Sequence, residues 1–516
     1  MWASTKEKTK KERTPGCSPD DTFEMKRLFR RHLSSTSSTR IISVDRGGLI
    51  KSSPAPSTAA VQQAILQSTL RTGVGESTEL SIKSPHGRDT LLGSLIRSSI
   101  MGRGPMSVAD YMQLCLGHPQ FGYYMRGDVF GSRGDFTTSP EVSQIFGELI
   151  GVWCVLALQD VEGNFSLVEG GPGRGTLTNA VLKVLSRFPS VHPRLRAVHL
   201  VETSPALRRI QADTLGCKDL VFAGEGETPL VVHGTISQGP CQSVAVHWHT
   251  HLEDVPSEEP TPMYLTHELF DALPTHQLSC TGVGSKGGSW REILVDYLPG
   301  EGGEEGTLRN ALSPSLTPAA AAWESWLNSP TGAAYLALCK SACPNSDWPS
   351  RGDVAEVSPI AQSILSSLCK RVRESGGVAL IVDYGQLHGA RALSLRGISE
   401  HRFVDPLASP GLVDLSVDVD FASLKVIAEA EGGCRVLGPI PQGVFLQRLG
   451  LNERLGKLIE VIHGGGEQKV GAEAAIERLQ SESRRLAHPT EMGSVYKVMA
   501  IAPATEGNRA IDTIFS

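Results

Sequence analysis

The sequence carries no basic excess: Lys and Arg number 49 against 55 Asp and Glu, for a net charge of −6. That leaves no electrostatic footprint for a nucleic acid partner. No apolar run reaches the length of a transmembrane helix. Cysteine is sparse, ten in 516 residues, and no C-x-x-C pair occurs. Cys339 and Cys343 can share a helical face, but no matching His or Cys completes a ligand set. Neither a zinc module nor a disulfide framework is expected, and no metal. Buried free thiols in a reducing compartment fit better. What remains, 40% hydrophobic and 20% charged residues, is the composition of a soluble globular enzyme. The length allows one large domain with additions, or two domains.

The chemistry starts at Phe165-Ser-Leu-Val-Glu169, an apolar run that ends in an acid. Gly171, Gly173 and Gly175 follow, then helical spacing through Leu177, Val181, Leu182 and Leu185. This reads as strand, glycine turn, helix, with free N–H groups at the helix start. A dinucleotide fingerprint needs a third glycine where Thr176 stands. The spacing acid-x-Gly-x-Gly-x-Gly instead looks like the first motif of S-adenosylmethionine-dependent methyltransferases. An acid suits that cofactor, whose amino and sulfonium groups are cationic. An ordinary glycine turn before a core helix fits the same residues.

After one helix-length crossover, Arg196 to Glu202 forms a second β-rich run ending in an acid. In a β-α-β unit Glu202 lies beside the glycine turn and can accept both ribose hydroxyls. Ser204-Pro205 then caps a helix. The strand Gln242 to His249 is followed by Thr250 and histidines, which gives no adenine contact. A second chemical stretch runs from Pro262 to Gln277. Its strand emerges into Glu268 and Asp271, with His276 and Gln277 beyond. Two carboxylates three residues apart can clamp a cationic acceptor, or simply cap the next helix. Upstream, Gly134-Asp135-Phe136 lies in a polar loop placed to cover a ligand. It feeds one helix through Ser139, Pro140 and Ile145 to Trp153.

Residues 1 to about 90 are rich in Ser, Lys and Arg and read as disordered. Within them, Met25 to Arg40 holds five basic residues and no acid, the composition of a mitochondrial transit peptide. The mixed-charge stretch before it does not fit a presequence, so either translation starts at Met25 or an extension precedes the signal. Residues 91–502 read as the folded unit, and residues 503–516 as a frayed tail.

Gly122-Tyr-Tyr124, Gly134-Asp-Phe136, Pro140 to Glu148, Glu169 to Gly175, Glu268 to Pro274, Trp290-Arg-Glu292, Glu356 to Pro359, Asp383-Tyr-Gly385, Phe403 to Pro406, Asp418 to Phe421 and Met492-Gly493 stand in a characteristic order. That order resembles the MidA-like methyltransferases, the family of the mitochondrial complex I assembly factor that methylates arginine. The resemblance implies an α/β, Rossmann-like methyltransferase core with an added helical and β region that covers the substrate. It implies S-adenosylmethionine as methyl donor and symmetric dimethylarginine as product, in the mitochondrial matrix. A matrix-arm subunit of complex I is the implied protein partner, and self-association as a homodimer is compatible with it. The implied cofactor residues are Glu169, Gly171, Gly173, Gly175 and Glu202, with Gly134 and Asp135.

Glu268 and Asp271 are the expected catalytic clamp, with Glu268 taking a proton, and His276 and Gln277 are the expected substrate contacts. The rival readings are a methyltransferase for another acceptor and an assembly scaffold without activity. A nicotinamide dehydrogenase is disfavoured by Thr176.

Overall fold

The computed structural model describes residues 90–127, 138–159, 161–224, 230–239, 241–282, 290–300, 306–344, 348–387, 392–464, 471–504 and 509–516. The N-terminal stretch read as disordered and transit-like, and Gly134-Asp135-Phe136, lie outside them.

One large sheet organises the chain. Its strands are β1 (Phe165–Gly170), β2 (Leu195–Val201), β3 (Cys217–Ala223), β4 (Leu230–Ile236), β5 (Ala245–His249), β6 (Pro262–His267), β7 (Val378–Gln386), β8 (Cys434–Pro441) and β9 (Tyr496–Pro503). Their order across the sheet is β8-β9-β7-β6-β1-β2-β5-β4-β3, and the short strand Val419–Asp420 joins the end of β7. The five central strands β7, β6, β1, β2 and β5 are parallel. Parallel strands are buried on both faces, which is why β1, β6 and β7 read as continuous apolar runs. β9 pairs antiparallel to β7, and β8 antiparallel to β9.

Helices α1 (Leu91–Arg103), α2 (Val108–Gly117), α3 (Gln144–Ala157), α4 (Thr176–Leu185), α5 (Pro205–Thr214), α6 (Pro359–Ser375) and α7 (Phe421–Glu431) follow the apolar spacing of their sequences. Ser107 caps α2, Ser204 caps α5 and Ser358 caps α6, each accepting a backbone N–H with its side chain. The single helix expected from Ser139 to Trp153 is broken. Ser139–Val142 forms one turn, Ser143 turns extended, and its side chain caps α3. α3 and α4 cross closely: a Cβ on Gly147 would stand 2.5 Å from Ala180 Cβ, and one on Gly151 2.6 Å from Val184 Cβ. α6 and α7 pack over β6, β7 and β9 through Leu365, Leu368, Phe421 and Ile381.

The added region is a five-stranded antiparallel sheet and a three-stranded one. The first contains Met106–Ser107, His276–Cys280, Trp290–Leu298, Thr307–Leu312 and Val354–Val357. The second contains Arg396–Ser399, Arg402–Val404 and Asp414–Ser416. α1 and α2 pack on both through Val108, Tyr111, Val295 and Leu415.

The end of the chain differs from the frayed tail expected. Arg509–Phe515 is a helix, with Ile511, Ile514 and Phe515 buried. The Phe515 and Phe445 rings meet at a tilt with centroids 5.7 Å apart, and Arg435 pairs with Asp512 at 2.9 Å. Apolar residues at positions 511, 514 and 515 give this short segment a face to bury. Among the described residues, no helix is long and apolar enough to cross a membrane.

Candidate active site

β2 and β6 flank β1 on opposite sides, so the chain reverses its direction across the sheet at β1. In an open α/β sheet, the crevice at the carboxyl ends of such strands is where ligands bind. A cavity of about 740 Å³ lies there. It reaches from the glycine turn and Glu202, past the end of β6, to α2, Tyr124 and Asp414 in the added region.

The turn after β1 depends on backbone that only glycine adopts readily. Gly171, Gly173 and Gly175 have φ of +64°, +52° and +78°. A Cβ on Gly171 would approach Leu269 Cδ1 to 3.0 Å. The turn is anchored from β2, where Val201 O accepts from Gly171 N at 3.1 Å. Gln211 Nε2, from α5, donates to Gly173 O at 2.7 Å. Gly175 caps α4, whose first N–H groups face the turn.

Glu169, buried at the end of β1, accepts from Thr178 Oγ1 on α4. Burial lifts its carboxyl to about 7, against the pull of that hydroxyl and the Thr178 amide. Glu202 is also buried on the cavity wall. It accepts from Ser204 N at 2.8 Å and Gln211 Nε2 at 3.1 Å. Burial raises its pKa, and these donors and Arg208 oppose the rise. Trp248 Nε1 fixes the other end of Gln211 at 2.9 Å.

The end of β6 is built differently. Four buried atoms of residues that line the cavity, Thr266 Oγ1, His267 Nε2, Glu268 Oε2 and Asp271 Oδ1, make no hydrogen bond among the described residues. Buried polar groups are normally satisfied, so four orphans within six residues point to a ligand. Glu268 holds φ +51°, a strained conformation for a residue with a side chain. Its amide is tied to Val382 O at 3.0 Å, and its Oε1 accepts from the Tyr496 hydroxyl at 2.8 Å. The Tyr384 hydroxyl donates to Asp271 Oδ2. Behind them Asp383 accepts from the Phe270, Asp271 and Tyr384 amides at 2.9, 3.3 and 2.9 Å.

Burial, then the Asp271 charge, pushes Glu268 well above the carboxylate range. Burial also raises Asp271 and Asp383. His267 is held neutral, burial lowering it to about 3. The wall as a whole carries Glu141, Glu169, Glu202, Glu253, Glu268, Asp271 and Asp414, with Arg174 as the one Lys or Arg among the described lining residues. The wall is rich in acids, and those that ionise favour a positively charged guest.

Residues 149–440 match the model of the family described as "Putative S-adenosyl-L-methionine-dependent methyltransferase". The protein arginine methyltransferase NDUFAF7 homolog, mitochondrial, of Drosophila melanogaster is 36% identical over 433 residues, covering 83% of this chain and 88% of that one. Its Mus musculus counterpart is 37% identical over 407 residues, covering 78% and 82%. The chain belongs to this MidA-like methyltransferase family. A COG1565 superfamily member from Burkholderia thailandensis, solved bound to S-adenosyl-homocysteine, shares the fold with a TM-score of 0.60. It is 23% identical and covers 81% of this chain and 92% of its own.

The methyltransferase uses S-adenosylmethionine as methyl donor, and its wall fits that cofactor. The glycine turn, Glu169 and Glu202 line the cavity together with Glu268 and Asp271, which follow the adjacent strand β6. Among the described residues, no group of three His, Cys, Asp or Glu is arranged to hold a metal.

His276 and Gln277 are not part of the cavity wall. After the turn Phe270–Ala272 the chain leaves the core and enters the five-stranded sheet. His276 Nδ1 meets Glu292 Oε1 at 2.6 Å, and Gln277 Nε2 donates to Glu356 Oε1 at 2.8 Å. Both are structural contacts of the added region. Sequence reasoning missed Tyr384, Asp383, Tyr496 and the Tyr124–Asp414 pair, whose hydroxyl and carboxylate meet at 2.9 Å. Asp383-Tyr-Gly385 at the end of a buried strand was the available signal, since strand ends in such sheets face ligands.

Proposed function

We propose that this methyltransferase acts on arginine in a protein. The observation that carries the reading is the pair of orphaned carboxylate oxygens, Glu268 Oε2 and Asp271 Oδ1, on an acid-lined wall. A guanidinium stays charged, with a pKa above about 12, and offers five N–H donors in a planar fork. Two carboxylates at the end of β6 can take that fork and orient one nitrogen.

The bound cofactor supplies an electrophilic methyl group on sulfur. Glu169, Gly171, Gly173, Gly175 and Glu202 hold the cofactor. Glu268 and Asp271 bind the acceptor and aim its nitrogen along the line of the departing sulfur. The N–C bond forms as the S–C bond breaks, and the N–H proton goes to Glu268. Burial makes Glu268 a stronger base than an exposed carboxylate, which suits proton removal from so weak an acid. Holding the reacting atoms in line supplies several kcal/mol of barrier reduction.

The finer reading follows from the family resemblance. The product is symmetric dimethylarginine, the acceptor a matrix-arm subunit of complex I, and the place the mitochondrial matrix. The names of the Drosophila and mouse relatives support both arginine and mitochondrion. In cells lacking the protein, mass spectrometry of matrix-arm subunits should show an arginine that has lost symmetric dimethylation. Re-expression restores it. Unchanged methylation of every matrix-arm arginine contradicts this acceptor.

The role given to Glu169 has its own test. Its carboxyl titrates at about 7 in the folded protein, so it is neutral below and anionic above. The cofactor's α-amino group stays cationic up to about pH 7.7. Affinity for S-adenosylmethionine should therefore rise several-fold from about pH 6 to about pH 7.5, as calorimetry would read it. Thr178→Val removes a hydrogen bond that favours the anion and moves this rise to higher pH. A flat profile in both proteins contradicts the role.

A further inference from the structure

Both carboxylates of the acceptor clamp are held by the same device. Tyr496 donates to Glu268 Oε1 at 2.8 Å, and Tyr384 donates to Asp271 Oδ2. Both phenols are buried, and their rings meet edge to face at 5.5 Å. The His267 ring lies parallel to that of Tyr496 with centroids 6.4 Å apart, its Nε2 stands 3.5 Å from Glu268 Oε1, and Glu141 adds a further acid facing Glu268. In each pair one carboxylate oxygen is held, while the other makes no hydrogen bond among the described residues.

The choice of a phenol has a consequence for charge. A lysine or arginine in its place would fix the carboxylate and neutralise it. A phenol fixes the rotamer and leaves the negative charge for a guest. The cations nearby make their direct contacts elsewhere, although the Arg396 charge reaches Asp271 and favours its ionised form. Arg396 stacks on the Tyr384 ring at 4.6 Å and pairs with Asp418 at 2.7 Å. Lys497, next in sequence to Tyr496, donates to the carbonyls of Gly385, Ser494 and Val495. Tyr496 stands at the start of β9, 228 residues from Glu268, so the last strand of the core sets the geometry of the end of β6.

We infer that Tyr496 and Tyr384 are positioning residues that aim Glu268 and Asp271 at a cationic acceptor without neutralising them. The inference rests on the reading of that pair as the acceptor clamp. A phenol hydrogen bond favours the ionised carboxylate, so its loss makes Glu268 easier to protonate. Activity that needs the carboxylate then fails at a higher pH.

The test is methyl transfer from labelled S-adenosylmethionine to purified complex I matrix-arm subunits, followed against pH. Tyr496→Phe should lower turnover about tenfold and move the acid limb up by about half a pH unit or more, with cofactor affinity unchanged. Tyr384→Phe should act in the same direction. Tyr335→Phe is the control: its hydroxyl donates to Asp420 Oδ2 at 2.8 Å, away from the cavity, and its loss should leave the acid limb in place.

If Glu268→Gln keeps full turnover, the clamp reading falls, and this inference with it. If Glu268→Gln is inactive while both phenylalanine variants keep the wild-type rate and acid limb, only this inference falls. Should Tyr496→Phe fail to fold, Tyr384→Phe decides by the same criteria. If neither folds, the phenols are framework and the inference is overturned.

Discussion

Glu268→Gln lowers methyl transfer about a hundredfold or more and leaves cofactor affinity nearly unchanged. The size follows from removing a positioned proton acceptor, an effect of about a hundred to ten thousandfold in general acid–base catalysis. Glutamine keeps the shape and can still accept the Tyr496 hydrogen bond at the position of Oε1. What it loses is the charge that receives a guanidinium and the site that takes its proton. Glu268 is also a buried acid crowded by Asp271 and Asp383, and burial raises all three. Replacing it by a neutral amide relieves that crowding, so the variant should melt no lower than the wild type. A large fall in kcat with an unchanged or higher melting temperature therefore reports chemistry and not unfolding. Normal turnover would move the clamp elsewhere.

Gly171→Val produces the second large effect, and produces it on the cofactor. Gly171 sits at φ +64°, where a β-branched residue is an outlier. Its new Cβ would also press on Leu269 Cδ1 at 3.0 Å. Strain of this kind costs about 1–3 kcal/mol. Expressed in the turn's ability to close on a ligand, that is about fivefold to a hundredfold in affinity, at 1.4 kcal/mol per decade. Calorimetric titration with S-adenosyl-homocysteine would read the loss. Wild-type affinity in a folded Gly171→Val protein would place the cofactor away from this turn.

The core of the fold was legible because its signals are local. The apolar run into Glu169, the three glycines and the helical spacing after them name a strand, a turn and a helix in one stretch. Ser204-Pro205 marked a helix start, and the Ser204 side chain accepts the expected backbone hydrogen bond. The site was legible only in part, because proximity across the sheet leaves no mark on spacing. Glu268 and Asp271 stand three residues apart and were visible. Tyr384 and Tyr496, which hold them, arrive on β7 and β9 from far along the chain.

The same limit explains His276 and Gln277. Nearness in sequence to Glu268 suggested a shared site, but the turn at Phe270–Ala272 sends them into another sheet. Their partners, Glu292 and Glu356, belong to stretches that carried the family resemblance, and there they satisfy one another within the added region. The C-terminal helix was missed because so short a terminal segment carries little periodicity, and its apolar face is buried only through tertiary contact, Phe515 meeting Phe445 while Asp512 pairs with Arg435.

Purified protein lacking the first ~90 residues, a stretch of disorder-like composition, combined with labelled S-adenosylmethionine and complex I matrix-arm subunits, gives the most direct test of arginine methylation. Mass spectrometry would locate the transferred methyl group. Label on an arginine, absent with Glu268→Gln, is the result expected. Tight cofactor binding with no label on any subunit, or label on a residue other than arginine, would contradict it.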